Sequence, residues 1–212
     1  MSSFYERHGK RLLDVAGAGL MLVPAAPVMA AIAAALWRTQ GRPILFSQER
    51  VGRDDTSFRI YKFRTMIEGA ADQGAGLWFE PDDPRITPLG KWLRTTSLDE
   101  LPQLWNVLRG DMSLVGPRPK PRELIDRYRS HYQETLQVRP GISHLPGISG
   151  RNTLRRSQMI ELDQRYVRSI TFATDVGMLL RTIPVVLLRC GFEAENESEE
   201  WVEDVPPDGA AA

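Results

Sequence analysis

The chain has 212 residues, 42% of them apolar, enough for one sizeable core and a short appendage. Its formal net charge of zero hides an asymmetry. All 27 Lys and Arg lie before residue 193, whereas eight of the 27 acids lie between Glu193 and Asp208, so residues 1–192 carry +8. That basic body calls for an anionic partner: a phosphate-bearing ligand, a lipid head group or a nucleic acid. A lone cysteine, Cys190, excludes an internal disulfide framework, and the scattered His8, His131 and His144 form no ligand-spaced zinc cluster.

Val15 to Trp37 forms a run of 23 uncharged residues, long enough for a bilayer that needs about 20. Pro24 and Pro27 stand near its middle, where each removes a backbone donor and crowds the preceding turn. Basic residues flank both ends: Arg7, Lys10 and Arg11 before, Arg38, Arg42, Arg50 and Arg53 after. A straight span would leave one cluster on the disfavoured side of the membrane. A helix broken at the prolines and returning to the same face satisfies both, and a proline-kinked span is the alternative; the residues alone leave both open. Asp14 is expected to pair with Lys10 or Arg11. The uncharged run weighs against a nucleic-acid partner.

Residues 44–66, "ILFSQERVGRDDTSFRIYKFRTM", read as two strands around a Gly/Asp turn. Alternation puts Lys62 and Arg64 on one face, able to converge on an anion or simply to face solvent. Residues 68–90, rich in Gly, Asp and Pro, read as a loop of the length that often serves as a lid. Within it Asp82 and Asp83 are expected to shape a turn more than to bind metal. Leu93, Leu98, Leu101, Leu104, Trp105 and Leu108 mark an amphipathic helix over 90–109, interrupted near Pro102. Further helices are expected over 123–138 and 172–189. The latter carries Arg181 and Arg189 on an otherwise apolar stretch and suits a membrane surface or a core. The tail from Glu193 cannot build a core and reads as disordered. No Walker A or G-x-G-x-x-G motif is present.

Asp99 and Glu100 sit together at a helix start. Ser97-x-x-Glu100 has the form of a capping box, which accounts for Glu100 but not for Asp99. Helix starts also attract phosphate, and Arg94 and Arg118 stand near, the latter between prolines in "GPRP". Two adjacent carboxylates among arginines suit a magnesium–diphosphate ligand, because Mg²⁺ takes one or two carboxylates plus phosphate oxygens. A carboxylate can attack phosphorus once the charge repulsion is neutralised.

The motifs "YKFRTM", "DDPRITPLGKWLRTTSLDELPQLWNVLRGDMSLVGPRP", "VRPGIS" and "GRN…ELDQRYV" occur in order from about Lys10 to Arg189. They resemble the bacterial sugar transferase family, small monotopic phosphoglycosyl transferases. The resemblance implies an α+β, predominantly helical monotopic membrane protein. A re-entrant helix–break–helix over 1–40 would precede a cytoplasmic catalytic domain over 41–192 with a small β-hairpin and amphipathic interfacial helices; the tail over 193–212 lies outside the family pattern. It further implies transfer of a phosphosugar from a UDP-sugar to polyprenol phosphate at the cytoplasmic face of a bacterial inner membrane, releasing UMP. The family's Asp-Glu dyad falls on Asp99 and Glu100, with Asp99 the nucleophile and Mg²⁺ at the pair. Lys62, Arg64, Arg94, Arg118, Arg151 and Asn152 become candidate phosphate and nucleotide contacts. A non-catalytic membrane-associated binder of the same ligands is the competing expectation. Two departures stand out. Ala26-Pro27 replaces the Ser-Pro of the break, and "GISHLPGISGRN" stands where the family reads like "GITGWAQVNGRN", so His144, Leu145, Pro146 and Gly147 are all atypical.

Overall fold

The computed structural model describes residues 4–70, 83–150 and 154–187. Most of them are helical, as expected. A single helical turn, Tyr5–Gly9, runs into α1 (Lys10–Gln40), followed by the hairpin β1 (Leu45–Val51) and β2 (Ser57–Phe63). Then come α2 (Pro88–Thr95), a 3-10 turn over Leu98–Glu100, α3 (Gln103–Arg109) and β3 (Ser113–Val115). Short helices α4 (Arg122–Arg127) and α5 (Arg129–Tyr132) lead through a 3-10 turn, Thr135–Gln137, to β4 (Gly141–Ser143). Three helices close the described chain: α6 (Leu145–Ser149), α7 (Arg156–Arg168) and α8 (Phe172–Leu187).

The break expected at Pro24 and Pro27 is absent: helix α1 runs through both prolines without an interruption of its helical backbone. Thirty-one residues at 1.5 Å each would make about 46 Å if straight. Its buried positions, Lys10, Asp14, Ala18, Ala25, Ile32 and Leu36, recur four and seven residues apart and form one stripe. Ala18 and Ala25 pack into a core with Ile60, Leu104, Val107 and Leu114, and Ile32 and Leu36 pack with Phe63 and Leu93. Both ends therefore rest on the same body. The opposite face presents Leu12, Leu20, Val23 and Trp37 to the outside.

Two basic residues before the apolar run turn into the fold. Lys10 Nζ donates to Val115 O, Tyr166 Oη and Asp175 Oδ2, the last at 2.7 Å. Arg11 donates to the Val107 and Leu108 carbonyls near the end of α3. Asp14 pairs with neither: its Oδ1 accepts from the Ser113 hydroxyl and the Leu114 amide. Once β3 covers this stretch, two orphan donors of its backbone and side chain become the nearest partners for a buried carboxylate.

The hairpin forms as expected, with Lys62 opposite Phe46 and Arg50 opposite Phe58. Its second strand, β2, is closed by a side chain. Asn106, fully buried on α3, accepts from Tyr61 N at 3.2 Å and donates to Arg59 O at 2.7 Å. A second, parallel pair joins β3 to β4; these three-residue strands carry no alternation long enough to read in the sequence.

The helix expected over 90–109 is three pieces, and the first break comes at Ser97 rather than Pro102. Ser97 sits in the left-handed region (φ 56°) and makes no capping hydrogen bond with its side chain, so the capping box does not form. The helix expected over 123–138 is likewise divided, because Tyr128 leaves helical geometry (φ −131°, ψ 36°) as its ring buries beneath the Arg156 guanidinium, 4.4 Å away. Asp83 shapes its turn as expected, accepting from Arg85. Asp82, most of the expected lid and the acidic tail lie outside the described residues. Gly90 meets Thr65 so closely that an added Cβ would stand 1.9 Å from its carbonyl oxygen, which pins α2 to the strand end.

Asn106→Leu keeps the volume but leaves the Tyr61 amide and Arg59 carbonyl without their partner. We expect about 2–4 kcal/mol of destabilisation, seen as a lowered thermal midpoint of the detergent-solubilised protein.

Candidate active site

The left-handed turn at Ser97 reorients the chain between α2 and α3, so that Asp99 and Glu100 ride a 3-10 turn facing the hairpin. Glu100 is the better-partnered acid. Its Oε1 accepts from Lys62 Nζ at 2.7 Å and from Arg118 Nη2 at 3.1 Å. Burial opposes its ionisation, yet the Lys62 and Arg118 charges outweigh that and hold its carboxyl well below the ordinary range.

Asp99 is 8% exposed and makes no hydrogen bond or ion pair among the described residues. Burial, then the neighbouring Glu100 charge, pushes its carboxyl above the ordinary range; Lys62, Arg94 and Arg118 pull the other way. The two carboxyls titrate as an interacting pair with opposite displacements. Arg94 is itself tied by Nε to the Thr65 hydroxyl at 2.9 Å, and burial lowers its pKa.

A narrow cavity of about 20 Å³ lies beside Glu100, lined by Arg50, Lys62, Gln103, Arg118 and Pro119. Arg118 carries the ion-pair chain outward: its Nη1 stands 3.3 Å from His144 Nε2, while His144 Nδ1 accepts from the Gly147 amide at 3.0 Å. Behind Arg118, burial pulls the Lys120 amine down to about 8 and pushes the Asp163 carboxyl up to about 7. Asp163 is nearly inaccessible, and its Oδ1 has no hydrogen-bond partner.

Of the residues expected at the site, the structure brings together Asp99, Glu100, Lys62, Arg94 and Arg118. Arg64 is turned elsewhere: it is buried, and its Nη2 donates to the Gln40 and Gly41 carbonyls at the end of α1. Strand β2 ends at Phe63, so the alternation that paired Arg64 with Lys62 no longer applies. Arg151 and Asn152 lie outside the described residues. Arg50, Lys120, His144 and Asp163 were not anticipated. Arg50 was within reach of a register argument, since Phe46, Gln48 and Arg50 lie opposite Lys62, Ile60 and Phe58 on the hairpin. Burial lowers the Arg50 pKa to about 10, with the Arg118 charge adding to it, and Arg50 Nε lacks a hydrogen-bond partner.

Among the described residues no group of three or more His, Cys, Asp and Glu could hold a metal. The pair alone offers two carboxylates, and the buried Asp99 oxygens make no hydrogen bond among the described residues. That donor set fits a hard divalent cation whose other ligands are phosphate oxygens and water.

Lys62→Met removes Glu100's nearest cation. A carboxylate held below its ordinary pKa contributes stability that is full at neutral pH and is lost as pH falls through its folded-state value. We expect K62M to be about 1–3 kcal/mol less stable than wild type at pH 7. The gap should shrink below about pH 4, as read by thermal unfolding across pH.

Comparison with known proteins accords with this geometry. Residues 5–189 match the family described as bacterial sugar transferase. A galactosyl transferase, CpsE, of Streptococcus agalactiae is 42% identical over 195 residues, covering 86% of this chain and 43% of the relative. An undecaprenyl-phosphate galactose phosphotransferase of Salmonella typhimurium is 39% identical over 196 residues, covering 86% and 41%. The exopolysaccharide production protein ExoY of Sinorhizobium fredii is 35% identical over 197 residues, covering 86% and 87%. The chain thus spans about two-fifths of the first two relatives and most of the third. The match across nearly the whole described chain makes it a member of the bacterial sugar transferase family.

Proposed function

We propose that the protein moves a phosphosugar from a UDP-sugar to polyprenol phosphate at the cytoplasmic face of the bacterial inner membrane. The observation that carries this reading is the unequal pair: a buried Asp99 without a hydrogen-bond partner beside a Glu100 already held by Lys62 and Arg118. An unpaired carboxylate surrounded by cations keeps its lone pairs for attack, and those cations lower the repulsion from an anionic phosphate.

Asp99 attacks the β-phosphorus of the donor, a new P–O bond forms to its carboxylate, and the bond from that phosphorus to the bridging oxygen breaks. UMP leaves with both electrons, and an aspartyl phosphosugar remains. A phosphate oxygen of the polyprenol phosphate then attacks the same phosphorus and expels Asp99, giving polyprenyl diphosphate sugar. Lys62, Arg118 and Arg50 gather beside Glu100 and would face the charge of the diphosphate. Asp99 and Glu100 would hold Mg²⁺, which when bound would offset phosphate charge. Glu100, committed to two cations, orders Lys62 and Arg118 more than it moves protons. The names of the relatives support a hexose phosphate as the transferred group.

The same reading places α1 in the membrane as a re-entrant element. Its apolar outer face would supply the lipid contact, while its inner stripe, from Lys10 through Ala25 to Leu36, rests on the body and keeps both ends on one side. Helix α1 is unbroken from Lys10 to Gln40, and the carbonyls freed by Pro24 and Pro27, of Leu20 and Val23, would be where it bends on entering lipid. Helix α8, with Phe172, Leu180 and Ile183 outward, would lie along the interface.

UMP release from a panel of UDP-sugars with Mg²⁺ and polyprenol phosphate tests the reaction. Asp99→Asn should lose at least about 10³-fold in turnover, and mass spectrometry should find a phosphosugar adduct on wild type alone. A carboxyl raised by burial favours the protonated state, so its ionisation costs stability at neutral pH. D99N should therefore unfold at a temperature no lower than wild type when Mg²⁺ is absent. Full turnover by D99N sinks the mechanism, and donor binding without UMP release would mark a binder.

For topology, cysteines introduced singly at Glu6 and Gly41, with Cys190 replaced by serine, should both react with an impermeant thiol reagent from the cytoplasmic side of inverted vesicles. Reaction from opposite sides would make α1 a span.

A further inference from the structure

We propose that Gln103 is a further substrate-binding residue: its side-chain amide, together with Arg50, receives one phosphoryl oxygen of the nucleotide sugar's diphosphate in the cavity beside Glu100. The assignment rests on the donor class proposed above and adds a neutral residue to the cations already placed there.

The fold treats two amides on one face of α3 differently. Gln103 and Asn106 stand three residues apart, neighbours on the helix surface, and both are buried, at 2% and 0% exposure. Asn106 commits its amide to the β2 backbone, accepting from Tyr61 N and donating to Arg59 O. Gln103 commits its amide to nothing. Its Nε2 is closed off from solvent without a hydrogen-bond partner, and its side chain makes no hydrogen bond among the described residues. A buried amide left unmet destabilises a fold, and nearly all such groups have a partner. Because Asn106 fastens this face of α3 to β2, Gln103 is kept beside Ile60 and Lys62 of that strand, where all three border the cavity. Rotation about the last side-chain bond is enough to turn its NH2 toward the cavity.

The cavity sets the size of what enters, and its wall sets the charge. About 20 Å³ admits one oxygen-sized group and not a whole phosphate. Arg50, Lys62 and Arg118 put three cations on the wall against the single carboxylate of Glu100. That carboxylate's Oε1 is already taken by Lys62 and Arg118. Arg50 supplies a second unmet donor: its Nη2 is given to Gln48, but its buried Nε has no partner. Two unmet donors under net positive charge call for an anionic oxygen that only accepts, which a non-bridging phosphoryl oxygen is. A water or a sugar hydroxyl brings no charge to offset the cations. An oxygen lodged there would hold the diphosphate against Glu100, one residue from the carboxylate of Asp99.

Stability and binding together separate this role from a structural one. Gln103→Met keeps the length of the side chain and removes the unmet amide. Q103M should therefore unfold at a midpoint no lower than wild type when no ligand is present. Gln103→Glu is nearly isosteric and sets a carboxylate against Arg50, so its midpoint should hold as well. In the full chain, solubilised in detergent, titration with UDP should show Kd raised about tenfold in Q103M. Q103E should lose more, because its charge repels the phosphate. With the UDP-hexose that wild type turns over, kcat/KM should fall in the same order. An unchanged UDP Kd in both variants overturns the pocket. So does a loss of affinity matched by a lowered midpoint in both, which would make Gln103 a structural residue. Should Q103M fail to fold, Q103E decides by the same two measurements. If wild type releases UMP from no donor, the functional reading fails, while the UDP titration of wild type against Q103M still decides the pocket.

Discussion

Glu100 between Lys62 and Arg118 is the contact on which the site depends, because it joins three segments far apart in the chain. Lys62 arrives on the hairpin, Glu100 on the 3-10 turn before α3, and Arg118 on the rigid "GPRP" segment after β3. Taking one carboxylate out of water costs several kcal/mol unless cations compensate it. Here two do, and the compensation is local to Glu100. Its neighbour inherits the field of the same cations without a hydrogen bond to any of them. One acid is therefore held still and the other kept available.

That division imposes a cost on the fold. Asp99 is buried beside a like charge, which disfavours its ionised form, and nothing among the described residues satisfies it directly. An acid kept in such destabilised surroundings is a candidate reactive group, because stability is often traded for reactivity. The left-handed Ser97 belongs to the same arrangement, since it turns the chain so that Asp99 and Glu100 face the hairpin.

The apolar helix and the site are mechanically linked. Arg64 fastens the end of α1 to the residue following β2, two positions beyond Lys62. At the other end Lys10 and Asp14 bind β3, α7 and α8 through buried polar contacts, and β3 leads directly into Arg118. Both cations that hold Glu100 are thus set by segments attached to α1. Breaking a buried contact of this kind leaves an uncompensated charge, so the anchor is costly to disturb. The seating of α1 on the body is thereby tied to the position of the acid pair.

Local sequence was enough to mark the apolar run, the hairpin, the helices around 93–109 and 172–187, and the acid pair with Lys62, Arg94 and Arg118. Each rests on local periodicity, turn chemistry or a long contiguous motif. Packing in three dimensions was needed to show that Arg64 serves α1 instead of the acid pair, that Asp14 serves β3, and that Ser97 is a left-handed corner instead of a cap. The same packing brings Arg50 and His144 beside Arg118. In each case the physical reason is alike. A buried polar group takes whichever partner the packing brings within about 3 Å, and for Asp14 that partner lay 100 residues away. Glu100 reads locally as a helix cap, but two cations supplied by distant segments bind it more strongly than a single backbone amide could.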